Sequence, residues 1–213
     1  MKITDIYDKF KIHPNLQQHM LRVAALAKII INNWKGEPLD ETVIIQACLF
    51  HDAAKIINFK YFEGDNTDYW KKIQKEMIDK YGTNDHEATL QICREVGVCD
   101  EAIRLLEEKN IRPYIERVRK IAGSNNFSLK LVQYCDARTA PEGLVALDER
   151  YAELMQRDSS KKMDTEAKES MGLLLEVESQ IQNKTSISLD EIKPEQVEDV
   201  AKDLEAFCIM NLC

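Results

Sequence analysis

Four histidines occur in this sequence of 213 residues, and two of them fall within helical patterns of apolar residues. His19 lies three residues after Leu16 and four before Val23, which places it on the buried side of an amphipathic helix. His51 lies four residues after Ala47, on a second buried stripe. A histidine on an apolar face is usually a core residue with a satisfied hydrogen bond, and metal coordination is the chemical alternative.

Two aspartates could share a metal ion with these histidines. Asp52 follows His51 directly, and because adjacent helical residues diverge by about 100°, both reach one ion only if the helix end faces it. Asp136 follows a mostly apolar run at helical spacing. A carboxylate in such a setting needs a partner, since a buried unpaired charge is costly. An ion pair with Arg138 or Arg150 would supply that partner, and so would a metal ion.

The elements that position these residues are predicted to be helices. The chain contains only 7 Gly and 5 Pro, and helix formers such as Glu, Lys, Leu and Ala are plentiful, which favours an all-α fold. Periodicity and capping residues predict helices over residues 16–34, about 40–54, 69–80, 85–96, 99–109, 111–122, 127–138, 143–157, 164–182 and 194–207. We expect a metal-binding helical domain over residues 1–158 and a C-terminal helical extension over 159–213 that packs on it.

Three blocks of the sequence resemble the HD superfamily of metal-dependent phosphohydrolases. The blocks are NLQQHMLRVA at 15–24, ACLFHDAAK at 47–55 and YCDAR at 134–138. The resemblance covers roughly residues 14–157, and it implies an all-helical HD-domain bundle. It also implies hydrolysis of a phosphate ester or anhydride, commonly of a nucleotide, and a small phosphorylated metabolite would be the substrate.

The resemblance further implies that His19, His51, Asp52 and Asp136 bind one divalent metal ion. Two imidazoles and two carboxylates suit Mn, Fe, Co, Ni or Zn, and suit Mg less well. Such an ion acidifies bound water and polarises a phosphoryl oxygen. By the same resemblance, Asp52 is a catalytic residue that bridges the metal and the attacking water.

His86 opens a block that is similar to the place where many relatives carry another histidine. We expect His86 to contact substrate phosphate or to donate a proton, and the alternative is a polar residue beside a helix N-cap. Binuclear relatives add a further histidine about twenty residues on, where this chain has Glu107-Glu108-Lys109. The sequence therefore predicts one metal ion and not two.

Three cations are candidates for binding the substrate phosphate. Arg22 and Lys55 each lie about one helical turn after a candidate metal ligand, and Arg138 faces the metal only if its helix ends there. Each would otherwise be a solvated surface charge. Residues 56–69 are irregular and rich in aromatic side chains, so they cover a pocket or pack on themselves. Glu63 and Asp65 in this region are weaker candidates for acid–base work.

Composition limits the other classes of function. A net charge of −8 disfavours an extended nucleic-acid surface, and no apolar run reaches the roughly 18 residues that a membrane span needs. Six cysteines without a CxxC pair are typical of buried thiols in a reducing compartment, so we expect a cytoplasmic protein. The apolar segment 206–210 leaves a homodimer open. The functional alternative is a non-catalytic metal- and nucleotide-binding regulatory or scaffold module, and a plain helical bundle with polar core residues is the simplest one.

Overall fold

The computed structural model describes residues 1–60, 66–157 and 165–209, with the side chains of 153–157 left out of the description. Helices dominate these residues, so the all-α prediction is confirmed. They are α1 (Ile3–Lys9), α2 (Pro14–Asn32), α3 (Glu41–Phe50), α4 (Thr67–Tyr81), α5 (Asp85–Val96), α6 (Asp100–Lys109), α7 (Tyr114–Ala122), α8 (Phe127–Ala137), α9 (Leu147–Arg157), α10 (Thr165–Gln182) and α11 (Pro194–Leu204). Short 3₁₀ turns occupy Lys55–Asn58 and Leu189–Glu191.

The structure departs from the sequence-based helices at three places. Helix α1 was missed, although its buried face is apolar. The helix predicted to begin at residue 143 begins at Leu147, because strands β1 (Thr139–Ala140) and β2 (Gly143–Leu144) form an antiparallel hairpin before it. Gly143 has a φ of 137°, a conformation that favours glycine and that excludes residue 143 from a regular helix.

The third departure matters for the site, because α3 ends four residues before the predicted boundary near residue 54. Beyond Phe50 the backbone continues in tight turns, with the Ala53 amide donating to the Phe50 carbonyl at 3.0 Å. The side-chain oxygen of Thr89 on α5 accepts from the Ala54 amide at 3.1 Å. The chain therefore turns away from the helix axis directly after Phe50, so His51 and Asp52 stand at a helix end.

Helix α2 lies at the centre of the fold and packs against α3, α8 and α11. Its buried residues are all apolar and occupy more than one face, as expected for a helix covered on several sides. Helix α1 supports the end of α3, since the buried Tyr7 hydroxyl donates to the Leu49 carbonyl at 2.7 Å. Burial raises the pKa of Tyr7 well above its ordinary value, so the hydroxyl keeps its proton and this hydrogen bond.

The C-terminal helices share the core of the earlier ones. Helix α10 packs on α7 and α8, and α11 packs on α2. Their buried residues Leu174, Val177, Ile181, Val197 and Leu204 belong to the same hydrophobic cluster as α2. A boundary at residue 158 stays a prediction. None of the helices in the described part of the chain combines the length and apolar character that crossing a membrane requires.

The cysteines follow the prediction of buried free thiols only in part. Four are free and buried, namely Cys48, Cys93, Cys99 and Cys135, whereas Cys208 is free and exposed. Cys213 lies outside the described residues. Cys208 lies beyond α11, where its backbone pairs with that of Lys2 in an isolated antiparallel bridge.

Candidate metal centre

Three separate helices position the predicted metal ligands. His19 lies in the second turn of α2, whose first turn is set by Pro14 and by the side chain of His13, which accepts from the Asn15 amide at 3.3 Å. His51 and Asp52 follow the end of α3, and Asp136 lies in the last turn of α8. The packing of α2 against α3 and α8 therefore brings together residues that are more than a hundred positions apart.

The imidazole nitrogens and one carboxylate oxygen converge closely. His19 Nε2 lies 3.2 Å from His51 Nε2 and 3.2 Å from Asp136 Oδ1, and His51 Nε2 lies 3.3 Å from the same Asp136 oxygen. Donors bound to one ion at about 2.1 Å are about 3.0 Å apart in an octahedron and about 3.4 Å apart in a tetrahedron. The three atoms thus have the mutual spacing of neighbouring ligands on a single metal ion.

Asp52 is a further donor near the two histidines. His19, His51 and Asp52 each offer one ligand atom, and these atoms all lie within 4.8 Å of one another. Both carboxylates therefore lie close to the two imidazoles. Their donor chemistry, two nitrogens and two carboxylates, fits a divalent ion of the first transition row, although the identity of that ion is not determined by the geometry.

The orientation of His51 is determined by the ring nitrogen that faces away from the cluster. Its Nδ1 lies 2.8 Å from the Cys48 carbonyl oxygen, which can only accept, so Nδ1 carries the proton. The lone pair of Nε2 is then directed at the cluster. Metal-binding histidines commonly use this arrangement, because the second hydrogen bond sets the tautomer and the ring angle.

Both aspartates are held in the anionic form. Burial alone would raise the pKa of Asp136, but the Lys109 ammonium and the imidazoles of His51 and His19 outweigh it and hold that pKa well below the ordinary value. For Asp52, burial is likewise outweighed by His51 and Lys55, and the pKa is lowered. Ionised carboxylates are the form that binds a metal, so the protein prepares the site without an ion.

A narrow cleft that is open to solvent lies beside the cluster. Its volume is about 60 Å³, which is small compared with most ligand pockets. Its lining is mostly polar and charged, and it includes His51, Asp52, Lys55, Asp85, His86, Thr89, Leu106, Lys109, Asn110, Arg112 and Arg117. Two of the four residues that were predicted to bind substrate, Lys55 and His86, are in this lining.

The other two residues that were predicted to bind substrate, Arg22 and Arg138, are not in the lining of this cleft. Arg22 donates through Nε to Glu198 at 2.6 Å and through Nη1 to the Pro141 carbonyl at 2.8 Å. Arg138 is buried, and its Nη1 is 2.6 Å from the Tyr134 hydroxyl and 3.1 Å from Glu178. The helix does end before Arg138, as the prediction required, but the guanidinium turns to α10. The substrate-binding assignment of these two arginines gains no support from their positions.

His86 lies near the start of α5, half-buried and facing the cleft. The side chain of Asn84 caps this helix by accepting from the amides of His86 and Glu87. Burial lowers the pKa of His86 below 6.5, although Glu87 and Asp85 oppose the shift. The sequence left two interpretations of His86 open, a residue beside a helix N-cap and a residue facing substrate. In the structure His86 is next to the N-cap and also lines the cleft.

Sequence reasoning missed four charged residues of the site, namely Asp85, Lys109, Arg112 and Arg117. Lys109 donates to Asp136 Oδ2 at 2.6 Å, and Asp85 lies 3.4 Å from the Lys55 ammonium. A signal for Lys109 was present, because it follows Ala102 by seven residues and so extends the buried stripe of α6. Glu63 and Asp65, the weaker acid–base candidates, lie outside the described residues.

Fold and site together define a helical protein with a histidine–aspartate cluster that can hold a divalent metal ion. The family model of the HD domain matches residues 16–140, more than half of the chain, so the protein belongs to the HD domain family. HD domains bind divalent metals and are typically metal-dependent hydrolases. Comparison with curated proteins and with solved structures gives no match.

Proposed function

We propose that this protein is a metal-dependent phosphohydrolase that cleaves a small phosphorylated substrate, such as a nucleotide. The observation that carries the proposal is that the group His19, His51 and Asp52, with Asp136 beside its two imidazoles, meets a cleft lined by cations through His51 and Asp52. A cluster that served stability alone would have no need of a charged cleft beside it. Membership of the HD domain family supports the same class of reaction.

A divalent ion held by His19, His51, Asp52 and Asp136 would supply an acidified water and would polarise a phosphoryl oxygen. Asp52 lines the cleft as well as the cluster, so its carboxylate can orient that water and accept its proton. The water oxygen then bonds to phosphorus, and the bond from phosphorus to the leaving oxygen breaks with its electron pair. The leaving oxygen takes up the proton that Asp52 accepted, which regenerates the carboxylate and gives inorganic phosphate or a phosphorylated product and the other half of the substrate.

Lys55 and His86 act on the substrate in different ways. The Lys55 ammonium lies 3.6 Å from Asp52 and 3.4 Å from Asp85 and is partly exposed to the cleft, so it can turn to a phosphate oxygen. The lowered pKa of His86 makes it neutral at pH 7, with one N–H to donate. A neutral imidazole binds a phosphate oxygen well and is a weak proton donor, so we favour the binding role.

The proposal is tested by elemental analysis of the purified protein, followed by a phosphate-release screen with Mn²⁺, Co²⁺, Ni²⁺, Zn²⁺ and Mg²⁺. We expect about one ion per chain, loss of activity after chelation and recovery after one metal is restored. A nucleotide that raises the melting temperature of the metal-loaded protein but is never hydrolysed would contradict the enzyme and support the non-catalytic alternative. Protein without bound metal under every condition would contradict both.

A further inference from the structure

Lys109 is a buried cation at the inner wall of the cleft. It is the last residue of α6, and only 8% of its surface is exposed. Its ammonium lies 2.6 Å from Asp136 Oδ2, the distance of a strong charge-assisted hydrogen bond. Lysine is seldom buried this deeply, because taking an ammonium out of water costs several kcal/mol, so its position calls for a physical reason.

The two oxygens of Asp136 face different partners. Oδ1 lies 3.2 Å and 3.3 Å from the imidazole nitrogens, whereas Oδ2 receives Lys109. The carboxylate can therefore bind a metal ion through Oδ1 while it keeps the lysine on Oδ2. Lys109 stays beside the cluster in this arrangement, and it also lines the cleft through which a substrate would approach.

The two lysines of the cleft follow the same pattern. Lys55 is paired with Asp52 and Lys109 with Asp136, so each carboxylate of the cluster has its own ammonium group. The two groups differ in exposure, because the Lys55 side chain is 43% exposed and that of Lys109 is 10% exposed. Lys55 is thus free to move with a substrate, whereas Lys109 presents its charge from a fixed position.

The balance of charge shows what Lys109 contributes. Within the described part of the chain, three aspartates and four cations surround the cluster and the cleft, namely Asp52, Asp85, Asp136, Lys55, Lys109, Arg112 and Arg117. Three negative and four positive charges leave one positive charge before a metal ion is counted. Without Lys109 this set would carry no net charge, so the net positive charge that attracts a phosphate dianion would come from the metal ion and not from the side chains.

We propose that Lys109 is a catalytic residue that donates a hydrogen bond to a non-bridging oxygen of the scissile phosphoryl group. This inference rests on the proposed phosphohydrolase function. As the leaving bond breaks, negative charge is redistributed among the phosphoryl oxygens, and a fixed ammonium stabilises that charge without reorganisation. The ion pair with Asp136 holds the ammonium in place. The same carboxylate would therefore bind the metal ion through one oxygen and position the phosphate-binding lysine through the other.

The test compares Lys109→Met and Lys109→Arg with the unchanged chain, all loaded with Mn²⁺. The probe is inorganic phosphate, whose dissociation constant is measured by calorimetry, together with the metal content of each protein. We expect Lys109→Met to keep one metal ion and to bind phosphate about ten- to a hundredfold more weakly, since one charged hydrogen bond is lost. Lys109→Arg, which keeps the charge, should recover part of that affinity.

Lys130 provides the matched control. It is also a buried lysine, only 3% exposed, but its ammonium is bonded to Gln180 on α10 and it is not part of the cleft lining. Lys130→Met should lower the urea midpoint and leave the phosphate dissociation constant of the folded protein unchanged. A merely structural Lys109 would behave in the same way as Lys130.

Phosphate binding by folded Lys109→Met with unchanged affinity would overturn the proposal. If Lys109→Met does not fold, Lys109→Gln decides, because unchanged phosphate affinity after loss of the charge would also overturn the proposal. Neither measurement needs turnover. A protein that binds metal and phosphate through Lys109 but hydrolyses nothing would therefore contradict the proposed function and leave the phosphate contact standing.

Discussion

Two regions of the molecule hold buried or half-buried cations against carboxylates, and they do so for different ends. On the cleft side, Lys55 and Lys109 pair with Asp52 and Asp136 of the metal cluster. In the second region, Arg22 on α2 and Arg138 just beyond α8 pair with carboxylates of the C-terminal helices. Burial does not separate the two regions, since the side chains of Arg138 and Lys109 are 7% and 10% exposed. The two regions differ in the carboxylates that the cations contact, because only the lysines pair with aspartates of the metal cluster.

Helices α10 and α11 therefore have a definite electrostatic role. Glu178 on α10 forms an ion pair with Arg138, and Glu198 on α11 forms one with Arg22. These are the arginines closest in sequence to Asp136 and His19. An arginine that is held this way stabilises the packing of the C-terminal helices and is not available to a substrate. We infer that the cleft side is responsible for chemistry and the α10–α11 side for stability, and each prediction below tests this division.

The largest effect is expected from Asp52→Asn, which removes the carboxylate that pairs with Lys55 and that we propose as a metal ligand and base. Phosphate release should fall by at least about a hundredfold, the usual contribution of a general base, while the urea midpoint changes little because the side chains have the same shape. Asp199→Asn is the control, since Asp199 pairs with Lys202 at the same spacing but on the exposed surface. Equal activities of the two variants would contradict the role of Asp52.

Arg138→Met should have the opposite profile. It breaks a buried ion pair with Glu178 and leaves that carboxylate uncompensated, which costs about 3–5 kcal/mol of unfolding free energy. Activity per folded molecule should stay within about threefold of the original, a change below 1 kcal/mol in the barrier. Urea unfolding and phosphate-release rates on the same samples measure both quantities.

The control for Arg138 is Arg104→Met, which removes an exposed pair with Glu101 and should cost no more than about 1 kcal/mol. A large loss of activity in folded Arg138→Met would show that the arginine reaches the substrate after all. The division between the two sides of the molecule would then be wrong.

Lys55→Met and Arg22→Met are a matched pair of variants, because each cation lies about one helical turn after a candidate metal ligand. We expect an effect on activity of intermediate size. Losing a charged contact to phosphate should lower kcat/KM for Lys55→Met by about tenfold to a hundredfold. Arg22→Met should leave kcat/KM unchanged and should lower the stability slightly, through its contacts with Glu198 and Pro141. If kcat/KM instead fell for Arg22→Met and stayed unchanged for Lys55→Met, the phosphate would bind near Arg22 and α11 and not in the cleft.

The smallest effect concerns pH and the start of α2. Burial holds the pKa of His13 below its ordinary 6.5, so the unfolded chain takes up a proton first as the pH falls. Protonation removes the Nδ1 acceptor that caps α2 and adds positive charge at the positive end of the helix. This contribution to stability is complete above pH 6.5 and is lost as the pH falls below that value.

His13→Asn keeps a capping side chain but does not titrate in this range. We therefore expect the difference in urea midpoint between His13→Asn and the original protein to shift in favour of the variant between pH 7.5 and pH 5.5. A difference that does not depend on pH would show that His13 is not the titrating group.

The structure brings together residues that the sequence offered as metal donors, and these could be chosen because residue type and helical spacing are local properties. His19 and His51 lie on apolar stripes, and Asp52 stands next to His51, so their shared site could be expected once the helices pack. The partners of the cations could not be predicted, because they depend on contacts between distant parts of the chain. Arg22 and Glu198, for example, are 176 positions apart.

The missed elements have the same kind of cause. Helix α1 is short, and isolated short helices are marginal, so it depends on packing such as the bond from Tyr7 to Leu49. The hairpin before α9 has only two residues in each strand, too few for an alternating pattern. Lys109 was overlooked because a lysine on a helix is usually solvated, and its burial becomes clear only when α6 is placed beside Asp136.

The contacts at the two ends of α2 also give the protein a built-in optical probe. Its two tryptophans are Trp34, just beyond the end of α2 and 5.3 Å from the Phe127 ring, and Trp70, 4.6 Å from the His13 ring that caps its start. Indole emission is sensitive to nearby rings and to the charge of an adjacent imidazole. Fluorescence of Trp34→Phe would therefore report on the start of the helix that carries His19, and Trp70→Phe on its end.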